Sequence, residues 1–165
     1  MKKIRIIGID PGLVKMGWGI IDCVGNRITH VANNVIKTQS TMALADRLVF
    51  LESELGKVIE LYAPEQAAIE QTFVNQDGVA TLKLGQARAM ALFAPASRGL
   101  SIVEYAPNTV KKTIVGKGHA DKIQVQHMLK MLLPKVTLTN ADSADALAIA
   151  IAAAYHQKPH TAPAL

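Results

Sequence analysis

Four carboxylates in this sequence stand where ordinary packing gives an acid no place. Asp10 closes the apolar run Ile4-Arg-Ile-Ile-Gly-Ile-Asp10 and is followed at once by Pro11 and Gly12. Glu70 closes a second short apolar run that begins at Gln66. Asp142 and Asp145 are three apart at the start of an alanine-rich segment, a spacing that puts them on one face of a helix. A carboxylate in such a place is costly unless it is solvated, paired or bound to a cation. Taken singly, each acid has an ordinary reading. An Asp before Pro-Gly hydrogen-bonds its own turn, and acids in a first helical turn complement the dipole or cap the helix. Taken together they point elsewhere. The segment that carries Asp142 and Asp145 is apolar almost all round, from Ala144 to Ile151, and its local sequence offers no Lys or Arg as counter-charge. Four carboxylates that meet cannot all stay ionised without cations. An all-oxygen set suits Mg²⁺ or Mn²⁺, and no Cys/His set suggests zinc. Two such ions, about 3.5–4 Å apart, activate a water and stabilise the leaving oxygen of a phosphodiester.

The elements that must bring these acids together follow from periodicity and turn chemistry. Ile4, Ile6, Ile7 and Ile9 have the β-branched composition of a buried strand. Pro11 cannot continue it and Gly12 permits a sharp turn. Met16 to Val24 reads as a second strand, Gly25-Asn26 as a hairpin turn, and Arg27 to Lys37 as a third strand. Thr38 to Thr41 is expected to hold a helix cap. Leu44, Leu48, Leu51, Leu55, Val58 and Ile59 then mark an amphipathic helix to about Leu61. Gln66 to Glu70 is a fourth strand, Gln71 to Gly78 a polar loop, and Val79 to Ser97 a helix apolar nearly all round, which needs cover on two sides. A fifth strand spans Ile102 to Tyr105 and a short helix Pro107 to Val115. Asp121 to Leu133 is amphipathic, with Ile123, Val125, Met128, Leu129 and Leu132 on its expected buried side. Asn140 or Ala141 opens the last helix, to about Gln157.

This order predicts an α/β fold: a mixed five-stranded sheet, three antiparallel strands and then alternating helices and strands, with helices on both faces. It predicts one domain over residues 1–157 and a loose tail over 158–165. If the first and fourth strands are neighbours, Asp10 and Glu70 share a rim where the last helix delivers Asp142 and Asp145.

Composition narrows the function class. The 165 residues are half hydrophobic, enough for a full core without disulfides, and the single Cys23 fits a reducing compartment. The basic start Met1-Lys2-Lys3 leads into an apolar run too short for a signal peptide, and no long uncharged span suggests a membrane crossing, so a cytoplasmic protein is expected. The net charge is +5, and residues 98–135 hold all of the excess, with seven basic against two acidic side chains. A confined basic segment is the footprint of a surface that meets a polyanion. Beside the four acids, it points to a metal-dependent nuclease. Phe73 is a lone aromatic in a polar loop, while Trp18 is most simply packing. His119 and His127 read as surface or hydrogen-bonded residues, and Gly116-Lys117-Gly118 lacks the spacing of a phosphate-binding Walker loop.

Five motifs in order carry a resemblance to a known family. They are Ile-Gly-Ile-Asp10-Pro-Gly, Ala-Ile-Glu70-Gln-Thr-Phe73, Leu-Lys-Leu-Gly-Gln-Ala-Arg88, Gly-His-Ala-Asp-Lys122-Ile-Gln-Val-Gln-His127 and Ala-Asp142-Ser-Ala-Asp145-Ala-Leu-Ala-Ile. From about Ile4 to His156 the chain resembles the RuvC-type Holliday junction resolvases, endonucleases with a ribonuclease H-like fold. The resemblance implies that Asp10, Glu70, Asp142 and Asp145 are catalytic metal ligands for Mg²⁺, two ions per site, with Mn²⁺ a plausible substitute. It implies that Phe73 stacks on or wedges between bases at the crossover. Lys111 and Lys122 fall where the family contacts DNA phosphates, with Lys112 and Lys117 as secondary candidates. A homodimer that makes symmetric paired nicks in four-way junction DNA is implied, as is partnership with the branch-migration helicase complex. So are 5′-phosphate and 3′-hydroxyl product ends and a modest sequence preference at the cut. The other readings are an actin-like ATPase, which also opens with a strand and an Asp-x-Gly turn, and a junction-binding protein without catalysis.

Overall fold

The computed structural model describes residues 2–157. Its first three strands, β1 (Lys3–Asp10), β2 (Lys15–Val24) and β3 (Arg27–Lys37), form an antiparallel meander. Helix α1 (Leu44–Tyr62) leads to β4 (Gln66–Glu70), and α2 (Gly78–Ala96) leads to β5 (Ser101–Tyr105). Both of these strands run parallel to β1, giving the sheet order β3-β2-β1-β4-β5. Helices α3 (Pro107–Val115), α4 (Lys122–Leu132) and α5 (Ala141–His156) complete the fold. The mixed five-stranded sheet with helices on both faces is the architecture expected from the sequence.

Two cores lie on opposite faces of the sheet. Ile7, Ile9, Trp18 and Ile20 pack under Leu51, Leu55 and Ile59 of α1 and Ala87, Ala91 and Ala94 of α2. Ile6, Ile21 and Ala68 pack under Leu147 and Ile151 of α5 and Val125 and Leu129 of α4. Each fully buried Ile or Leu contributes about 1.5–3 kcal/mol. The alternation of side chains along β1 therefore assigns its residues to the two cores in turn.

Helix α5 lies unusually close to the sheet, for a reason written in both partners. Its inner face is alanine, and the strands beneath it carry glycine. A β-carbon on Gly8 would stand 2.0 Å from the Ala146 carbonyl oxygen, and one on Gly19 would stand 2.6 Å from Leu147 Cγ. Asn140 caps α5, its side chain accepting from the Ser143 backbone N–H.

Two expectations fail. Thr38 to Thr41 does not cap α1: the N-cap is Ala43, with no side-chain hydrogen bond. Thr38 is buried and donates its hydroxyl to the Leu13 carbonyl, so its oxygen is committed to a neighbouring loop. Ile123 does not face the core but is 79% exposed. At 100° per residue it lies about 200° from Val125, opposite the stripe that Val125 and Leu129 define. The expected loose tail, 158–165, lies outside the described residues.

Candidate active site

Register places the first two acids. Strands β1 and β4 are adjacent and parallel, with Ile9 opposite Ile69, so Asp10 and Glu70 leave the sheet side by side at its carboxyl edge. Both point to the α5 side. Gly8 faces Ala146 and Ala150, and Asp10 is two residues on. Ala68 belongs to the α5-side core, and Glu70 is likewise two residues on.

The close seating of α5 supplies the other two. Gly17 is paired with Asp10 across β1 and β2, and its missing side chain leaves room for the Asp142 carbonyl. Because Asn140 does the capping, Asp142 and Asp145 are released from that duty and face the rim.

Electrostatics show that the four acids feel one another. Burial pushes the Asp10 carboxyl up to about 8, helped by the negative charges of Glu70, Asp145 and Asp142 and opposed by Lys122. Burial, then Asp145, raises Glu70 to about 7, against the pull of Lys111 and Lys122. Asp145 is raised by burial and by Asp142, while Lys122 and Lys111 act against the rise. The counter-charge that the local sequence lacked thus comes from elsewhere in the chain: Lys122 at the start of α4 and Lys111 on α3. Lys122 Nζ lies 3.8 Å from Asp145 Oδ2.

The set fits a hard divalent cation in its chemistry. All donors are carboxylate oxygens, and their mutual repulsion is what such an ion would relieve. The fit is one of charge and donor type rather than a closed shell: among the described residues no three Asp, Glu, His or Cys side chains group as tightly as metal ligands do.

The remaining candidates differ in exposure. Phe73 is 62% exposed, three residues beyond Glu70. Its loop is tied to α2 by Asp77, whose carboxylate accepts from the Val79 and Ala80 N–H groups, and by Thr81 Oγ1, which accepts from the Asn75 N–H. Lys111 is half-buried on α3, Lys112 is exposed beside it, and Lys117 is exposed in the loop before α4. Trp18 is buried against Tyr62, with ring centroids 5.9 Å apart.

Sequence reasoning missed the residues that seat these groups. The glycines of β2 were visible, but their pairing with α5 needs the sheet order. Arg47 is buried and donates to Thr38 Oγ1. Its place four residues before Leu51, on the apolar stripe of α1, was the available signal. Asn33 of β3 donates to Ser143 Oγ, a contact across 110 residues that no local pattern announces.

Known proteins share this sequence and fold. The family described as "Crossover junction endodeoxyribonuclease RuvC" matches residues 6–153. A protein of that name from Nitrobacter hamburgensis is 59% identical over 154 residues, 93% of this chain and 91% of its own length. One from Rhodopseudomonas palustris is 57% identical over 94% of this chain and 90% of its own. The solved structure of T. thermophilus RuvC in complex with Holliday junction substrate superposes with a TM-score of 0.85 at 30% identity, covering 92% of this chain and 94% of that one. The yeast mitochondrial Holliday junction resolvase Ydc2 shares the fold, with a TM-score of 0.66 at 14% identity. Match, identity and fold run over nearly the whole described chain, which belongs to the RuvC family of crossover junction endodeoxyribonucleases.

Proposed function

We propose that this chain resolves four-way DNA junctions by metal-dependent phosphodiester hydrolysis, with Asp10, Glu70, Asp142 and Asp145 as the catalytic metal ligands. The observation that carries the reading is the convergence of acids from three separate stretches of sequence at one rim, where burial and neighbouring negative charge hold protons on Asp10 and Glu70. Divalent cations bound there, Mg²⁺ or Mn²⁺ and two per site, would supply water activation and stabilise the leaving oxygen. Asp10 and Glu70 hold the rigid side of the site, fixed by adjacent strands. Asp142 and Asp145 hold the other from the first turn of α5. Lys122 and Lys111 offer positive charge to the scissile strand's phosphates at the same rim, and Lys112 and Lys117 extend that charge outwards. To Phe73, exposed on a loop anchored to α2, we assign stacking on an unpaired base, a role its exposure supports.

The substrate's near two-fold symmetry calls for two sites. We assign the second to another copy of this chain docked on α2, whose outer face shows Val79, Leu82 and Phe93 to solvent. We further propose that residues 1–157 form one nuclease domain that acts in the cytoplasm with a branch-migration helicase. Among the described residues no helix is long and apolar enough to cross a membrane.

One assay tests the reading. Purified protein is incubated with a labelled synthetic four-way junction and with a matched linear duplex, with and without Mg²⁺, while ATP hydrolysis is followed in parallel. Symmetric nicking of the junction alone, in Mg²⁺ alone, is expected. ATP turnover would favour the actin-like reading, and binding without nicking would leave a junction-binding protein.

A further inference from the structure

Thr38, Arg47 and Ser143 are the buried polar side chains among the described residues, at 7%, 8% and 0% exposure, and all three brace backbone next to the acids. Thr38 Oγ1 donates to the Leu13 carbonyl at 2.6 Å and accepts from Arg47 Nε at 2.9 Å. Arg47 Nη2 reaches the same carbonyl at 3.4 Å, and the Thr38 N–H donates to the Val14 carbonyl at 3.0 Å. These bonds fix the turn that leaves Asp10. Ser143, between Asp142 and Asp145, donates to the Asn140 carbonyl at 3.2 Å and accepts from Asn33 Nδ2 at 3.0 Å. His30 Nε2 lies 2.7 Å from Asn33 Oδ1 and, donating to it, turns the amide nitrogen towards Ser143.

A buried guanidinium with no carboxylate partner among the described residues is a poor choice for stability alone. Its cost makes sense where a backbone carbonyl must be held in one place. Both braces run through one element, the edge strand β3 and the residue that follows it, which contributes no acid.

We propose that Asn33, Thr38, Arg47 and Ser143 are positioning residues: through β3 they set the spacing between Asp10 on its turn and the acid pair on α5, and so the affinity of the site for its cation. This rests on the metal-site reading given above. Outer-shell partners of metal ligands typically change affinity or activity by about 10–100-fold when lost.

The test measures Mn²⁺ uptake by the full chain, without DNA, by titration calorimetry. Thr38→Val keeps the side-chain shape and removes the hydroxyl, Ser143→Ala removes the other brace, and Asn33→Ala gives a second approach to it. Each is expected to weaken Mn²⁺ binding about 10-fold or more, and to raise the Mg²⁺ concentration for half-maximal nicking, with junction binding in EDTA unchanged. Thr38→Ser, which restores the hydroxyl, should recover wild-type affinity. Leu55→Val, in the core beneath α1, should lower the melting temperature and leave Mn²⁺ affinity alone. Wild-type Mn²⁺ affinity in all the brace variants, whatever their melting temperatures, overturns the proposal and spares the metal site. A wild type that takes up no Mn²⁺ overturns both.

Discussion

Gly17 stands opposite Asp10 in the β1–β2 ladder, and a β-carbon placed on it would lie 2.1 Å from the carbonyl oxygen of Asp142. One missing methyl group therefore sets how near the acid of α5 comes to the acid of β1. Contacts below 3 Å with backbone cannot be relieved by a rotamer change, so Gly17→Ala must displace the first turn of α5. The variant is expected to lose about 1–3 kcal/mol of stability by overpacking and to nick at least ten times more slowly at a temperature where it is fully folded. Nicking at the wild-type rate by the folded variant would show that the spacing at Gly17 does not matter.

The acids themselves should reveal their strain in the absence of metal. An Asp in the unfolded chain loses its proton near pH 3.9, whereas burial and the neighbouring acids hold the Asp10 proton to about 8. Between those values the folded state binds more protons than the unfolded one, so stability falls as pH rises. In EDTA, Asp10→Asn should melt several degrees above wild type at pH 7–8 and converge with it towards pH 4. Glu70→Gln should behave alike over the narrower window that ends near its value of about 7. Both should nick orders of magnitude more slowly in Mg²⁺. A flat difference across the pH range would remove the electrostatic account of the site.

Legibility of the site from the sequence followed the range of the interaction that makes it. Asp10 and Glu70 could be placed because a strand that stops on an acid before a turn is a local pattern, and Asp142 and Asp145 because helical spacing is local too. The helices α3 and α4 were likewise announced by Pro107, Asp121 and their apolar periods. What stayed hidden depends on contacts between distant segments: the counter-charge from Lys122, the fit of Gly17 against Asp142, and the link from Asn33 to Ser143. Thr38 shows the same limit from the other side. Its type suggests a cap, but the nearby Leu13 carbonyl and Arg47 compete for its oxygen and win.

Binding and chemistry should separate at Lys122. Its ammonium faces Asp145 at 3.8 Å with most of its side chain in water, so its removal takes one cation from the DNA surface without opening the core. Lys122→Ala should reduce the slope of log affinity against log salt by about one contact. Asp145→Asn should do the reverse, binding the junction in EDTA at least as tightly as wild type because a negative charge has gone, while nicking in Mg²⁺ collapses. Equal salt slopes for Lys122→Ala and wild type would place the phosphate contacts elsewhere.

Phe73 is exposed in the free protein, so truncating it should leave the melting temperature nearly unchanged. Stacking on an unpaired base is worth about 1–3 kcal/mol, and Phe73→Ala should forfeit it. With 2-aminopurine at the crossover, wild type should raise the fluorescence on binding and the variant should not, with nicking reduced in step. A junction opened normally by Phe73→Ala would reduce the side chain to a bystander.

Leu82 distinguishes a one-site from a two-site enzyme. It is 68% exposed, one turn from Val79 and three turns from Phe93 on the outer side of α2, whereas Leu84 is half-buried and a poorer probe. Val79, Leu82 and Phe93 share this outer side, and a charge placed among them is strongly unfavourable once a second copy covers it. If the proposed dimer forms through this face, wild type should sediment as a dimer and Leu82→Glu as a monomer at the same concentration, and the variant's melting temperature should not depend on protein concentration. Because each site keeps its own four acids, the monomer should still nick, but one strand at a time, so that nicked junctions accumulate before resolved duplexes. An intact Leu82→Glu dimer that cuts both strands together would move the interface off α2.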